Sequence, residues 1–309
     1  MEKQPTVVIA FGGNALIQKG QSGTAEQQLD NLELPMGQIA KLSKDYDFVI
    51  THGNGPHVGN LLLQQESCDE VPKMPLEVIG AMTQGQIGYM IESTLDTALM
   101  ENGITDQLLA TLITYVVVDE NDPLFKNPTK PIGPFYTKEE AAGLPYTMKE
   151  TDKGMRRVVA SPKPVHIVET EEIQRLVADG FIVVCCGGGG IPVIQKGRKF
   201  TGVEAVIDKD LATSKLAQEI EADVFIICSD VPGAAINWGQ EDESLLGKIS
   251  VSEMRKHVDD GQFPAGSMGP KVSAVMEFVE ETGNRGVICR LEDIVSALEG
   301  EVGTEITKG

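Results

Sequence analysis

The sequence predicts an α/β fold with a mainly parallel central sheet and helices on both faces. Three observations lead there. Short β-branched runs alternate with helix-patterned stretches, the same rhythm returns in the second half of the chain, and several strand-like runs end in glycine. Parallel strands joined by crossover helices, with both sheet faces covered, produce this pattern.

Taken in order, Val7-Val8-Ile9 reads as the first strand, residues 25–43 as a helix, Phe48-Val49-Ile50 as a second strand and residues 75–100 as a long helix. Residues 119–164 then break the rhythm. They hold seven of the 16 prolines and eight basic against seven acidic residues, so the segment is locally cationic in a chain of formal charge −20. Proline disfavours interior strands and long structureless loops are uncommon, so this segment is expected to be an inserted subdomain rather than sheet.

After it come a helix over residues 169–178, the strand Phe181-Ile182-Val183-Val184, a helix after Asp210 and the strand Val224-Phe225-Ile226-Ile227. Beyond Pro270, the residues Val272, Val275, Met276 and Val279 recur at i, i+3, i+4 and i+7, one face of an amphipathic helix. Val287-Ile288 supplies another strand, and residues 303–308 are expected to close the sheet. The organisation predicted is a core of two halves, residues 1–118 and 165–309, separated by the subdomain at 119–164.

Composition narrows the function. With 41% apolar and 23% charged residues over 309 positions, the chain matches ordinary globular proteins. Its 26 Lys+Arg against 46 Asp+Glu argue against nucleic acid or an anionic membrane as the main partner. Neither a signal segment nor an apolar run near the ~18 residues of a membrane span is apparent, so a cytoplasmic location is expected. The five cysteines show no metal-ligand spacing. Cys185, Cys186, Cys228 and Cys289 lie in apolar runs and read as small buried hydrophobes.

The chemistry is expected at the glycine-ended strands: Phe11-Gly12-Gly13-Asn14, His52-Gly53-Asn54-Gly55-Pro56 and Cys186-Gly187-Gly188-Gly189-Gly190. At the carboxyl ends of parallel strands, glycine lets backbone N–H groups approach oxyanions closely. A G-x-x-x-x-G-K-[ST] loop is missing, and no G-x-G-x-x-G follows the first strand, which disfavours P-loop enzymes and nicotinamide oxidoreductases.

Two lysines carry the sharper signal. Lys209 and Lys271 both open predicted helices, where the dipole is already positive and a cation is misplaced by about 0.3–1 kcal/mol. A polyanion between the helix ends reverses that penalty and points to phosphoryl transfer. The plainer alternative has Asp208 or Asp210 capping the helix while Lys209 faces water.

Five ordered blocks then carry a resemblance. They are Ala10-Phe11-Gly12-Gly13-Asn14-Ala15-Leu16, His52-Gly53-Asn54-Gly55-Pro56, Asn127-Pro128-Thr129-Lys130-Pro131-Ile132-Gly133-Pro134-Phe135, Val203-Glu204-Ala205-Val206-Ile207-Asp208-Lys209-Asp210 and Gly266-Ser267-Met268-Gly269-Pro270-Lys271. Together they resemble the carbamate kinases of the amino acid kinase superfamily. The resemblance implies a three-layer αβα sandwich with a small protruding subdomain, a homodimer, and reversible transfer between ATP and carbamate, in arginine or other nitrogen catabolism.

It also implies the roles of residues. Gly12, Gly13, Asn14, Gly53, Asn54 and Gly55 would cradle carbamate and the moving phosphoryl group. Lys209 and Lys271 would neutralise the transferring oxygens, Asp210 would hold both lysines, and Lys130 would reach in from the subdomain. Asp230, Ile236, Asn237, Gly266, Ser267 and Met268 would bind ATP or ADP, and Mg2+ would arrive on the nucleotide without a protein ligand set. Trp238, placed after a predicted strand, reads either as a wall of the nucleotide pocket or as plain packing.

Within the superfamily, Ala10 stands where acetylglutamate kinases usually carry Lys, which favours carbamate or carbamoyl phosphate as the substrate. Departures from the carbamate kinase pattern are Met155, Ala160 and His57, where an aromatic, a Pro and a Gln are usual; they bear on lid packing and acceptor affinity. A catalytically silent nucleotide-binding protein of the same fold is the alternative from another class.

Overall fold

The structure, a computed structural model, describes residues 4–264 and 266–309. From its amino end the chain forms β1 (Thr6–Phe11), α1 (Ala25–Leu42), β2 (Asp47–His52), α2 (Gly55–Glu66), α3 (Leu76–Glu101), β3 (Leu108–Thr111) and β4 (Tyr115–Val118). The middle adds β5 (Lys130–Tyr136), α4 (Lys138–Ala142), β6 (Met148–Thr151), β7 (Gly154–Val159) and β8 (Pro164–Ile167). Next come α5 (Thr170–Ala178), β9 (Phe181–Val184), β10 (Ile191–Lys196), β11 (Lys199–Gly202) and α6 (Lys209–Glu219). The chain finishes with β12 (Val224–Ser229), β13 (Ala235–Ile236), β14 (Ser244–Leu245), β15 (Lys248–Ser250), α7 (Val251–Asp259), α8 (Met268–Thr282), β16 (Arg285–Arg290), α9 (Ile294–Leu298) and β17 (Thr304–Thr307).

Eight strands make the main sheet in the order β15-β17-β16-β12-β1-β2-β9-β3. Every pairing is parallel except β16 with β17, so the expected mainly parallel sheet is present and residues 304–307 join it near one edge. All six residues of β1 are buried. Because side chains alternate across a strand, Val7, Ile9 and Phe11 pack in one core with α1, α3 and α9, whereas Val8 and Ala10 pack in a second core with α5, α6, α7 and α8. This double burial explains why the strands are continuously apolar, and it makes the three layers.

The middle segment corrects one expectation. Residues 130–159 contain a three-stranded antiparallel sheet in the order β5-β7-β6, so this part is sheet after all. The prolines fit because β5 is an edge strand and its register shifts between Ile132 and Phe135, where Pro134 needs no ladder partner. The small sheet rests on the main body through Ile132 and Val159, which pack with Val58 and Leu62 of α2 and with Leu76 and Ile79 of α3. Flanking it, β4 and β8 belong to a separate four-stranded sheet with β10 and β11.

Candidate active site

Three glycine-bearing loops follow β1, β2 and β9, adjacent strands of the sheet, so their carboxyl ends open side by side. Gly12 precedes a short 3-10 turn at Gly13–Ala15. Asn54 occupies the N-cap of α2 without capping it; its amide donates to the Thr83 hydroxyl at 2.9 Å. The first N–H groups of α2 are thus free of a side-chain cap, the arrangement that receives anions at helix N-termini. Gly188 adopts φ +67° and lies so close to Asn54 that a Cβ there would fall 2.0 Å from its Nδ2. Only glycine fits that position.

These loops line a cleft of about 290 Å³. Gly13, Gly53, Asn54, Gly55, Lys130, Lys209 and Asp210 all line it, as do Gly188, Asp208 and Arg156. Gly12 and Asn14 flank Gly13 in the 3-10 turn but are outside the lining. A second cleft, of about 220 Å³, lies beyond the end of β12 and is lined by Asp230, Trp238, Ser267, Met268 and Lys271 among others. Ile236 pairs with Ser244 at the foot of this region, and Asn237, at φ 54°, donates its N–H to Gln262 and its amide to Asp242, both at 2.8 Å. Gly266 sits in the turn before α8. Ile236, Asn237 and Gly266 do not line either cleft.

Asp210 joins the two clefts. Its Oδ1 accepts a short hydrogen bond from Lys209 Nζ, and its Oδ2 accepts one from Lys271 Nζ at 3.0 Å. All three side chains are largely shielded, at 7% exposure for Asp210, 15% for Lys209 and 17% for Lys271. Burial by itself raises a carboxyl group, but here the two ammonium groups outweigh it and hold Asp210 at about 2. Lys271 is pulled below its ordinary range by burial and by Lys209, with Asp210 opposing.

The alternative considered for Lys209 is thereby half right. Asp208 does cap α6, accepting from the Asp210 N–H at 3.0 Å, but Lys209 turns inward rather than to water. The other Asp208 oxygen accepts from Lys130 at 2.9 Å, which anchors the small sheet over the cleft. Sequence reasoning did not single out Asp208 as a counter-ion or Arg156 as a cleft residue. Neither had a local signal: Asp208 meets Lys130 from 78 residues along the chain, and Arg156 depends on the strand register.

The two histidines nearest the cleft, His52 and His57, are buried. Burial takes His52 down to about 4, against the opposing Gly53 carbonyl at 3.1 Å, so its ring is neutral at pH 7. His57 is also lowered by burial, and its Nε2 bonds Gln28 Oε1 at 2.6 Å. The four core cysteines are buried and Cys68 is exposed.

A model of the amino acid kinase family matches residues 5–290. The carbamate kinase of Thermococcus kodakarensis is 50% identical, over 98% of this chain and 99% of that protein. The chain belongs to the carbamate kinases of the amino acid kinase family. A carbamate kinase from Clostridium perfringens is 45% identical over 98% of this chain and 99% of its own length. Among solved structures, the carbamate kinase from Giardia lamblia bound to AMP-PNP has a TM-score of 0.95 at 43% identity, with all of both chains covered. N-acetylglutamate synthase from Neisseria gonorrhoeae, at 15% identity and a TM-score of 0.57 over 99% of this chain and 62% of that one, shares the fold alone. The carbamate kinase relationship thus agrees with the five sequence blocks and with the three-layer architecture.

Proposed function

We propose that the first cleft takes carbamate or the carbamoyl end of carbamoyl phosphate, the second takes ATP or ADP, and the chain moves a phosphoryl group reversibly between them. The observation that carries this reading is Asp210, whose two oxygens hold one cation from each cleft. In the forward direction a carbamate oxygen attacks the γ-phosphorus while the bond to the ADP oxygen breaks, giving carbamoyl phosphate and ADP. The reverse regenerates ATP and carbamate, which decays to ammonia and carbon dioxide.

Carbamate is already an anion, so the attack requires no general base, and the neutral His52 and His57 are not needed for one. Phosphoryl transfer asks mainly for alignment and charge stabilisation. Gly13 and the uncapped start of α2 supply backbone donors, Gly53 leaves room for close approach while its own N–H bonds the Phe11 carbonyl, and Lys209 and Lys271 supply the cations. Asp210 keeps those cations aimed before substrate arrives. Residues 119–164 act as a lid in this reading, with Lys130 braced on Asp208, and closure excludes water from the phosphoryl group.

Mg2+ fits such a site as a passenger of the nucleotide. The Asp208 and Asp210 carboxylates are engaged by lysines, and among the described residues Asp230 is the single carboxylate lining the second cleft. A hard cation that keeps phosphate oxygens and waters needs little more from the protein, and Asp230 would hold it. When bound, Mg2+ supplies neutralisation of phosphate charge.

A cytoplasmic homodimer serving arginine or other nitrogen catabolism is the setting that matches this chemistry. Among the described residues, no helix is long and apolar enough to cross a membrane.

The test supplies carbamoyl phosphate, ADP and Mg2+ and measures ATP, with acetyl phosphate and acetylglutamyl phosphate as competing donors. Carbamoyl phosphate should be strongly preferred. Nucleotide binding with no ATP formed from any donor would instead support the silent nucleotide-binding alternative.

A further inference from the structure

The small sheet over the first cleft carries two adjacent arginines whose surroundings differ. Arg157, on one face of β7, donates to Glu204 at 2.6 Å and stacks over Tyr146 with 3.9 Å between guanidinium and ring centre. Its charge is matched, although its buried Nε finds no partner among the described residues. Arg156, on the other face, lines the cleft. Among the described residues it has no carboxylate within ion-pair distance, and its one hydrogen bond runs from Nε to the Gly133 carbonyl at 3.1 Å. Both terminal nitrogens are therefore left with donors to place.

The sequence around Arg156 holds it in one pose. Gly133 has φ +70° and sits where the β5 register shifts, which turns its carbonyl to meet Arg156 Nε. Phe135 lies opposite Arg156 in the β5–β7 ladder, with the guanidinium 5.0 Å from its ring centre. That ring is 46% exposed, so the stack is a reason for an aromatic side chain to stay at this surface. On the other side Lys149 of β6 faces Arg156 in register, a like-charge pairing that is unfavourable without an anion nearby. Partial burial of Arg156 also disfavours its charged form. The other two cleft cations already have counter-ions, Lys130 with Asp208 and Lys209 with Asp210.

We infer that Arg156 is a specificity-determining residue for the acceptor, its two terminal nitrogens receiving an oxyanion of carbamoyl phosphate or carbamate from the lid side. A planar fork suits a carboxylate-like group better than a lysine does. The inference rests on the proposed function and assigns a new contact within it.

The test compares wild type with Arg156→Met, Arg156→Lys and Phe135→Leu in the ATP-forming assay. Replacing Arg156 by Met should raise KM for carbamoyl phosphate roughly 10- to 100-fold, the scale of lost charge-assisted hydrogen bonds, with KM for ADP within about twofold. Arg156→Lys should recover part of this loss. Inorganic sulfate should compete with carbamoyl phosphate more weakly in Arg156→Met than in wild type. An unchanged KM for carbamoyl phosphate overturns the inference, as does a parallel rise in both KM values with a lowered melting temperature, which marks a packing role only. If Arg156→Met does not fold, Phe135→Leu decides, because it keeps the guanidinium and removes its support. A selective rise in KM for carbamoyl phosphate sustains the assignment and no rise refutes it. A wild-type protein that makes no ATP from carbamoyl phosphate would overturn the functional reading itself, a result distinct from all of these.

Discussion

Replacing Asp210 by Asn removes the charge shared by Lys209 and Lys271 while keeping the shape. The magnitude follows from its titration. A carboxyl group lowered from 3.8 to about 2 contributes roughly 2–3 kcal/mol of stability at neutral pH. Because the folded value is depressed, that contribution is complete above the unfolded value near 3.8 and is lost as pH falls through about 2. Asp210→Asn should therefore lower unfolding stability by about 2–3 kcal/mol at pH 7, and the gap from wild type should narrow toward pH 2. Urea titrations monitored by circular dichroism at pH 7, 4 and 2.5 measure this directly. Turnover should fall by roughly 10²-fold or more, since two unrestrained ammonium groups no longer converge on the transferring oxygens. Sulfate should also raise the melting temperature of the variant more than that of wild type, by supplying the missing negative charge. A variant as stable as wild type at pH 7, with normal turnover, would refute the view that Asp210 organises both clefts.

The remaining predictions concern neighbouring groups. Lys209→Ala and Lys271→Ala should each reduce turnover by roughly 10²-fold or more, and near-normal rates in steady-state assays would remove that lysine from the chemistry. Gly53→Ala would place a methyl group 3.3 Å from both the Gly13 nitrogen and Lys209 Cδ, so kcat should drop by about tenfold with the melting temperature nearly unchanged. His52, lowered from 6.5 to about 4, is a base kept neutral by burial, so its contribution is present above about 6.5 and disappears as pH falls through about 4. Wild-type stability should decline by roughly 3 kcal/mol over that window, and His52→Gln should show a shallower decline in the same denaturation experiment.

The parallel core was legible because buried strands must be apolar on both faces, and runs such as Phe225-Ile226-Ile227 have few other uses. The helix over residues 268–282 was equally readable from Val272, Val275, Met276 and Val279. By contrast, α2 begins Gly-Pro-His and carries no clean apolar stripe, so the stretch at Gly55–Glu66 did not stand out as a helix. The short strand Lys248–Ser250 has too few residues to show a period.

At the site, Lys209 and Lys271 were visible because their position at helix starts opposes the local dipole. Arg156 was not, because its partner across the ladder depends on a register shift at Gly133-Pro134 that no local pattern encodes. The small sheet was missed for the same reason: proline density suggests irregular chain until the strand carrying it is known to lie at an edge.

The alternation along β1 ties architecture to chemistry in one further way. Inserting or deleting a single amino acid just after Thr6, with the start of the strand held in register, would hand Val7, Ile9 and Phe11 to the opposite layer, and would at the same moment rotate the Gly12-Gly13 turn away from its neighbours. Length changes in this segment should thus be far less tolerable than apolar exchanges of similar bulk, since the one ribbon sets the phase of both greasy layers and of the anion cradle above them.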